Sequence, residues 1–426
     1  MVFNQKLNRR SFLSGATGLG MLPFLPRLVS ASSNGNPKRV VLIRAYGGWD
    51  VTYCLDPKLS VNGVVDGPDS HATNNGLDVE SIQTYGSAAG NGGINVMVNN
   101  EKRPNVDAFF SDRGEQCIAV NGIYVGSIVH DLCRLRMSTG YRDIGGPDMG
   151  VIAGVEHGQS GFSIPFLDIS GSGFSGDYSS STGQLGTNNQ ILALLDRSIT
   201  IPGEIGSGQS YPTFVPSGSQ RQSMTNFFNS RQEILNGQGH TGATSSKRLE
   251  DLEVALLRRQ SLLDDRSLLL DNLTFGNSGS FNSQVNLAAT LLNSGFCQSI
   301  ALDAGDDWDS HDDITNQNAM YDDLFAGLSL MTNKLEENGM LDDTLIVVIS
   351  EMTRTPRLNS DGGKDHWPVT SALVVGGGLD GGKVLGSTDN SINPIGINLS
   401  DGSSNSTGTA LNYDQFVAGI VHASGA

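Results

Sequence analysis

The sequence predicts an α/β fold with a mostly parallel β-sheet at its centre. Short apolar runs at 39–45, 116–121 and 345–349 have the length and composition of strands that are buried on both faces. Segments with the apolar spacing of amphipathic helices lie between such runs, for example at 321–338. Strands that alternate with helices along a chain are typical of this fold class.

The predicted elements follow one another along the whole chain. The strands are expected at 39–45, 116–121, 163–169, 298–303, 345–349 and 372–375. The helices are expected at 128–137, 218–236, 246–272, 285–294, 321–338 and 413–424. Patches rich in Gly, Ser and Asn separate them and are interpreted as surface loops, because a strand or helix pattern resumes after each patch.

We divide the chain into four parts on this basis. Residues 1–31 are expected to be a signal segment, and 38–160 the first part of the α/β core. Residues 161–295 contain the third strand and a helical, loop-rich insertion, and 296–426 the second part of the core.

The first 31 residues have the pattern of a twin-arginine signal peptide. Arg9 and Arg10 are followed by Ser11, Phe12 and Leu13, then by a Gly-rich, weakly apolar stretch and a small-x-small site that ends at Ala31. The alternatives are a membrane anchor or a buried helix, but about 11 apolar residues are fewer than the roughly 20 that span a bilayer. We therefore expect the twin-arginine translocation machinery as a partner, no stable membrane insertion, and a periplasmic or secreted protein of a Gram-negative bacterium.

The composition is strongly acidic. Removing residues 1–31 takes away four cationic side chains and no acid, which moves the formal charge from −17 to −21. Such a surface argues against nucleic acid as a partner and is compatible with divalent cations. The four cysteines are widely spaced and form no CxxC motif, so the sequence leaves open whether any of them are paired.

Polar side chains with metal-binding chemistry follow successive predicted strands. They are Asp50, His130, the acidic run 306–313 with Asp309 and His311, then Glu351 with Arg354, and Asp365 with His366. Ligands bind beyond the carboxyl ends of the strands in open parallel sheets. Carboxylates and imidazoles bind Zn, Mn or Fe, and with more carboxylate Mg or Ca, while Arg354 offers a planar fork for an oxyanion.

Each of these residues also has an alternative interpretation when it is taken alone. Asp50 has the position of an ordinary turn residue. The acidic run 306–313 resembles a solvated loop or a helix start, and His130 a satisfied polar residue on a helix. Only the joint placement of these residues after several strands predicts a metal site.

Several motifs together resemble the family called domain of unknown function 1501. They are the twin-arginine start, Gly47-Gly48-Trp49-Asp50, His130 with Thr139-Gly140, Trp308-Asp309-Ser310-His311, Ser350 to Thr355, Asp365-His366, and the glycines at 376–378 and 381–382. The likeness covers residues 38 to 424. It implies a three-layer α/β/α sandwich of the alkaline phosphatase and sulfatase superfamily, with a divalent-metal cleft at the strand ends.

The resemblance also implies roles for individual residues. Carried over by position, the metal ligands are Asp50, Asp309, His311, Glu351 and His366, with Asp365 and Arg354 supporting these ligands or contacting an anion. Ser127, His130 and Arg354 are the predicted catalytic residues.

Two departures from the family pattern bear on catalysis. Val129 stands where the family commonly has a Ser before the motif His, so Ser127 would have to replace that nucleophile. Glu351 stands where phosphatases have an Asp-His pair, which would remove one ligand.

Two functions are therefore compatible with the sequence. The first is a metal-dependent hydrolase that acts on a small anionic phosphate or sulfate ester. The second is a non-catalytic exported binding or assembly module that keeps the sandwich fold. A calcium-stabilised surface protein is a third reading, although no EF-hand spacing supports it. The sequence does not specify a substrate or an oligomeric state.

Overall fold

The computed structural model describes residues 38–71, 80–157, 162–185, 200–202, 210–212, 217–237, 254–255, 258, 261–262, 280–305, 307–398 and 401–426. Its strands are β1 Arg39–Arg44, β2 Ser81–Tyr85, β3 Ile94–Val98, β4 Cys117–Tyr124, β5 Phe166–Asp168, β6 Thr182–Gln184, β7 Thr200–Pro202, β8 Ser210–Pro212, β9 Ser299–Asp303, β10 Thr344–Ile349, β11 Thr353–Arg354, β12 His366–Trp367, β13 Val369–Gly376 and β14 Lys383–Leu385. Its helices are α1 Pro104–Arg113, α2 His130–Thr139, α3 Met149–His157, α4 Gly218–Gly237, α5 Phe281–Asn293, α6 Gln317–Glu337 and α7 Tyr413–Ala423.

Eight strands form one mixed sheet in the order β14–β4–β13–β10–β1–β9–β5–β6. β13 runs antiparallel to both of its neighbours, β4 and β10, and every other neighbouring pair in this sheet is parallel. The pairs β2–β3, β7–β8 and β11–β12 form separate two-stranded sheets. The predicted α/β fold with a mostly parallel central sheet is confirmed.

The sequence of the central strand β1 is a continuous apolar run because both faces of the strand are covered by helices. Val41 and Ile43 pack on one face with α1, α5 and α6, and Val40 and Leu42 pack on the other with α2, α3 and α7. All four side chains are buried, and complete burial of each contributes about 1.5–3 kcal/mol. The sheet therefore has a hydrophobic core on each face, and the three-layer arrangement follows from it.

Local sequence signals set the ends of the helices that matter most for the site. α2 begins at His130 and ends at Gly140, whose φ of 72° is left-handed and whose N–H donates to Arg136 O at 2.8 Å. α7 begins with a reciprocal capping box between Asn412 and Gln415. The start of α2 follows the carboxyl end of β4 after a short connection.

Several elements were not predicted from the sequence. Among them are the hairpin β2–β3 and the helices α1 and α3. The short strands β6, β7, β8, β11, β12 and β14 were not predicted either. Residues 149–155 of α3 are buried, so this helix lacks the polar face by which an amphipathic helix is recognised. β2 is a largely exposed strand that pairs with β3 alone.

Some of the sequence predictions fall outside the residues that the structure describes. These are the signal segment 1–31 and most of the predicted helix 246–272. The division of the chain into four parts stays a prediction. No helix within the described ranges is both long and apolar enough to cross a bilayer.

The four cysteines all lie in described parts of the chain. Cys54, Cys117, Cys133 and Cys297 are buried free thiols. Burial raises the pKa of the Cys133 thiol to about 11, which keeps it protonated at neutral pH.

Candidate metal centre

Four loops and helix starts at the carboxyl ends of the parallel strands contribute the side chains of the site. His130 is the first residue of α2, which follows β4. Asp309 and His311 lie between β9 and α6, and Glu351 follows β10. His366 lies in β12, where it pairs with Arg354 of β11. The sheet therefore brings together residues that are up to 236 positions apart in the chain.

His130, Asp309 and His366 form a compact group. One ligand atom from each of them lies within 4.8 Å of the other two. His366 Nε2 is 3.1 Å from His130 Nε2 and 3.1 Å from Asp309 Oδ1. The remaining contact joins His130 Nε2 to Asp309 Oδ2 at 3.4 Å.

His311 extends this group by a fourth side chain. Its Nε2 lies 2.9 Å from His366 Nε2 and 3.1 Å from Asp309 Oδ1. Three imidazole nitrogens of the same type therefore surround one carboxylate. We call His130, Asp309, His311 and His366 the histidine cluster.

The other ring nitrogen of each histidine contacts an oxygen acceptor. His366 Nδ1 donates to Ile128 O at 2.9 Å, and a carbonyl oxygen can only accept. His130 Nδ1 lies 2.7 Å from Glu351 Oε1, and His311 Nδ1 lies 3.3 Å from Asp365 Oδ1. In a neutral imidazole with a protonated Nδ1, Nε2 carries a lone pair, so the His366 nitrogen that faces the other members of the histidine cluster is an acceptor.

Glu351 contacts His130 on the side of the ring that points away from the cluster. Its side chain is completely buried, and its two oxygens accept from Gly47 N–H at 2.9 and 3.1 Å. The hydrogen bond with Glu351 outweighs partial burial and raises the pKa of His130 above its usual range. The structure places Glu351 against the outer nitrogen of His130, and His130 stands between it and Asp309.

The loop Gly47–Gly48 has a shape that requires glycine. Gly47 has a φ of 123°, and a Cβ there would lie 2.5 Å from Asp309 N. The backbone of this loop can therefore approach the Asp309 segment closely, while its N–H reaches Glu351.

Arg354 holds the loops of the site together. It is completely buried, and its Nε donates to Gly48 O at 2.7 Å, its Nη1 to Lys364 O at 3.1 Å and its Nη2 to Asp309 Oδ1 at 2.6 Å. Partial burial of Asp309 acts in the opposite direction, but the hydrogen bond and the positive charge of Arg354 lower the pKa of Asp309 to about 2. With no exposed N–H, Arg354 orients Asp309 and offers no donor to a ligand in the cleft.

Asp50, which the sequence suggested as a ligand, forms a buried ion pair with Lys364. Its Oδ2 accepts from Lys364 Nζ at 2.6 Å, and both side chains are completely buried. Its Oδ1 accepts from Thr52 N at 3.0 Å and from Thr52 Oγ1 at 2.8 Å. The carboxylate is thus satisfied by an ion pair and by the start of a short 3-10 helix.

The segment before α2 carries no serine at the helix cap. Val129 occupies the cap position with 59% of its surface exposed. Ser127 Oγ accepts from Val129 N at 3.2 Å and lies close to Cys133. The Ser127 hydroxyl therefore contacts the helix start.

The site differs from the sequence prediction in the role of some residues. His130, predicted as catalytic, faces the same point as Asp309, His311 and His366, which were predicted as ligands. Lys364 and Arg134 were not singled out. The position of Lys364, directly before Asp365-His366, was the available signal for it, and the i,i+4 spacing of His130 and Arg134 was the signal for Arg134.

Comparison with known proteins gives one family and several distant structures. The family model described as "Protein of unknown function (DUF1501)" matches residues 37–405. Comparison with the curated proteins found no match.

Three of the similar solved structures show the level of identity and structural similarity. The PsFucS1 sulfatase from Pseudoalteromonas sp. is 12% identical, with a TM-score of 0.34, and the match covers 84% of this chain and 66% of that one. A protein in the alkaline phosphatase superfamily from Vibrio parahaemolyticus is 13% identical, with a TM-score of 0.36 and coverage of 90% and 73%. The phosphonate monoester hydrolase of Agrobacterium radiobacter is 13% identical, with a TM-score of 0.30 and coverage of 82% and 71%. Likenesses at this level do not bear on activity.

Proposed function

The chain belongs to the DUF1501 family of proteins of unknown function, and from the geometry of its own residues we propose that it is a metal-dependent hydrolase of phosphate or sulfate esters. The proposal has two parts that can fail separately. The first is that the histidine cluster binds a divalent ion, and the second is that the bound ion serves ester hydrolysis.

The observation that carries the first part is the contact between His366 and Asp309. His366 Nδ1 donates to a backbone carbonyl, so the neutral ring presents a lone pair at Nε2. That nitrogen lies 3.1 Å from a carboxylate oxygen and within 3.1 Å of two other Nε2 atoms. Acceptors brought this close repel one another unless a cation or a proton lies among them.

The donor set indicates which ions fit. Imidazole nitrogens with one carboxylate suit Zn, Mn or Fe better than Mg or Ca, which prefer oxygen ligands. The oxygen partners of the outer nitrogens, Glu351, Ile128 O and Asp365, are typical of metal-binding histidines. When bound, such an ion polarises an ester oxygen and lowers the pKa of water.

The protein's own residues prepare the site for this chemistry. Arg354 keeps Asp309 ionised and fixed in place, and Glu351 sets the orientation of the His130 ring. Since Arg354 and Glu351 are completely buried, their contacts are protected from solvent. The histidine cluster is accessible to solvent, because the His311 side chain is 39% exposed.

We propose Ser127 as the residue to test for a nucleophilic role. Its hydroxyl is two positions before Val129, at the entrance to α2. The alternative within the same function is direct attack by water, which needs no hydroxyl at the helix start.

A non-catalytic binding module is the second candidate function. The specific observation in its favour is Val129, an exposed valine at the cap where the resemblance leads us to expect a serine. In this candidate function, the histidine cluster binds a metal ion but the protein hydrolyses no ester.

We further propose that the protein is exported through the twin-arginine pathway to the periplasm or beyond. The support is Arg9-Arg10 with the apolar stretch behind it. Fusion of residues 1–31 to a reporter that is active only after export tests this proposal, with Arg9→Lys and Arg10→Lys together as the matched control. Equal reporter activity in both fusions would exclude the twin-arginine route.

The first experiment is elemental analysis of the purified protein. The wild-type chain is expected to bind Zn, Mn or Fe, and the double variant His130→Ala, His366→Ala is expected to lose it. His422→Ala, which removes an imidazole from α7 on another part of the protein, is the control for a general loss of histidine. Metal-loaded protein is then assayed with nitrophenyl phosphate and nitrophenyl sulfate.

The outcomes separate the candidates. Metal binding with ester hydrolysis supports the hydrolase, and metal binding without hydrolysis of either ester favours the binding module. If the wild-type protein takes up none of these ions, the first part of the proposal is wrong.

A further inference from the structure

Arg134 lies on the same face of α2 as His130, one helical turn further along. Its side chain is 35% exposed, which distinguishes it from the completely buried Arg354. It lies beside the histidine cluster, because its Nε is 3.6 Å from the Glu351 oxygen that contacts His130 at 2.7 Å.

The guanidinium of Arg134 lies over an aromatic ring. Its Cζ lies 4.9 Å from the ring centroid of Tyr46. Tyr46 is itself fixed, since it directly follows β1 and its hydroxyl lies 2.9 Å from Ser138 Oγ of α2. Stacking on an aromatic ring fixes the plane of a guanidinium and leaves its edge open.

The N–H groups of Arg134 are not used within the described part of the chain. Its Nε is buried and has no hydrogen-bond partner, and the contact of 3.6 Å with Glu351 is too long for a hydrogen bond. Arg136 also has a buried Nε without a partner, but another of its N–H groups is used. Arg136 donates to Val125 O at 2.8 Å, and Arg354 donates from all three of its nitrogens.

A buried donor without a partner beside a cleft is costly in free energy unless a ligand satisfies it. A guanidinium presents parallel N–H groups that match two oxygens of a tetrahedral anion. We propose that Arg134 binds the phosphoryl or sulfuryl oxygens of the substrate beside the histidine cluster, an inference that rests on the proposed function for the identity of the substrate class. The anion site predicted from the sequence thus moves from Arg354 to Arg134.

The competing explanation is that Arg134 serves only to balance charge. Glu351 is 3.6 Å away, and Asp303 is also close enough to interact with it electrostatically. In that case the protein gains stability from Arg134 but does not use it to bind an anion.

The test measures anion affinity by isothermal titration calorimetry, with inorganic phosphate and inorganic sulfate titrated separately into the full-length protein. Arg134→Gln is expected to weaken binding of the preferred anion about 10- to 100-fold, the range for loss of hydrogen bonds to a charged group. Its metal content is expected to equal that of the wild type. The preference between the two anions distinguishes a phosphoryl from a sulfuryl substrate.

Two further variants keep the result interpretable. Arg142→Gln removes the same charge from an exposed position beyond the other end of α2 and is expected to leave affinity unchanged. Arg134→Lys retains the charge without the planar fork, and an affinity between those of the wild type and Arg134→Gln is expected if the fork binds the anion. This variant also provides the test if Arg134→Gln does not fold.

The results separate this inference from the proposed function. Unchanged anion affinity in folded Arg134→Gln or Arg134→Lys would overturn the inference and leave Arg134 as a charge-balancing residue, even if the metal is bound. Loss of anion affinity in a protein that binds no metal would support Arg134 while the metal-dependent function fails.

Discussion

Asp50 Oδ2 and Lys364 Nζ lie 2.6 Å apart, and neither side chain is exposed to solvent. The pair joins the loop after β1, which packs against the Asp309 segment, to the segment before β12, the strand that contains His366. A carboxylate that the sequence marks as a metal ligand is therefore committed to an ion pair within the protein.

We predict that Lys364→Met destabilises the protein by about 3–5 kcal/mol, because it leaves Asp50 buried without its cation. The double variant Asp50→Asn, Lys364→Met is expected to recover part of that loss, since it removes the unpaired charge. Urea unfolding of the single and double variants measures both free energies. If the double variant were no more stable than Lys364→Met, the pair would contribute mainly through packing.

A variant of Asp50 alone tests whether Asp50 binds the metal ion. Asp50→Asn is expected to leave the metal content of the folded protein unchanged, because Asp50 is bound to Lys364 and Thr52. Elemental analysis provides the measurement. Loss of metal from the folded variant would restore Asp50 as a ligand.

Glu351→Gln is expected to weaken metal affinity about 10- to 100-fold without abolishing it, the usual effect of changing a residue that orients a metal-binding histidine. The reason is that Glu351 contacts His130 Nδ1, on the opposite side of the ring from the cluster. Competition with a chelator measures the affinity, and Glu336→Gln on the surface of α6 is the control. Complete loss of binding would indicate that Glu351 binds the metal directly.

Gly47→Ala is expected to destabilise the protein by more than Gly63→Ala. Both glycines have positive φ, but a Cβ at Gly47 meets the backbone of Trp308 and Asp309 within 2.7 Å, while nothing lies within 4 Å of a Cβ at Gly63. Gly63→Ala should cost about 1–2 kcal/mol for its left-handed conformation alone. Thermal or urea unfolding gives both values, and equal costs would contradict the close packing of the Gly47 loop.

Asp148, a buried acid that is not part of the histidine cluster, predicts a dependence of stability on pH. Burial raises the pKa of Asp148 from 3.8 to about 6, although Arg44 opposes the shift and Asp168 adds to it. The folded protein therefore holds a proton that the unfolded chain releases, so the contribution of Asp148 to stability falls as the pH rises from about 4 to about 6.

This contribution can be isolated with Asp148→Asn. The free energy of unfolding of the wild type relative to Asp148→Asn is expected to decrease between pH 4 and pH 7, by on the order of 3 kcal/mol. Denaturant unfolding at several pH values provides the measurement. A constant difference between the two proteins across this range would show that Asp148 does not change its protonation state.

The fold could be predicted from the sequence where a strand or helix has a clear pattern. β1, β9 and β10 lie in the centre of the sheet with apolar side chains on both faces, and such strands are continuous apolar runs. α3 and the hairpin β2–β3 were not predicted. A helix that is buried on most sides, or a strand pair exposed at the surface, lacks the periodic contrast between an apolar and a polar face.

The candidate site could be predicted only in part. Polar residues after strands marked Asp309, His311 and His366, and the structure brings these three together with His130. The sequence did not distinguish an aspartate in this group from Asp50, because both follow strands and both precede a turn or loop. What differs between them is the partner that folding supplies, and that partner lies far away in the chain.

The sequence by itself determined the α/β class, the order of the main strands along the chain, and three of the four side chains that the structure gathers in the histidine cluster. These depend on local periodicity and on residue chemistry, which can be read along the chain. Only the tertiary structure decided that Lys364 neutralises Asp50, that Arg354 is buried under Asp309, and that Arg134 lies over the Tyr46 ring beside Glu351. The physical reason is that burial and pairing arise from contacts between segments separated by as many as 314 residues, and no local pattern records them.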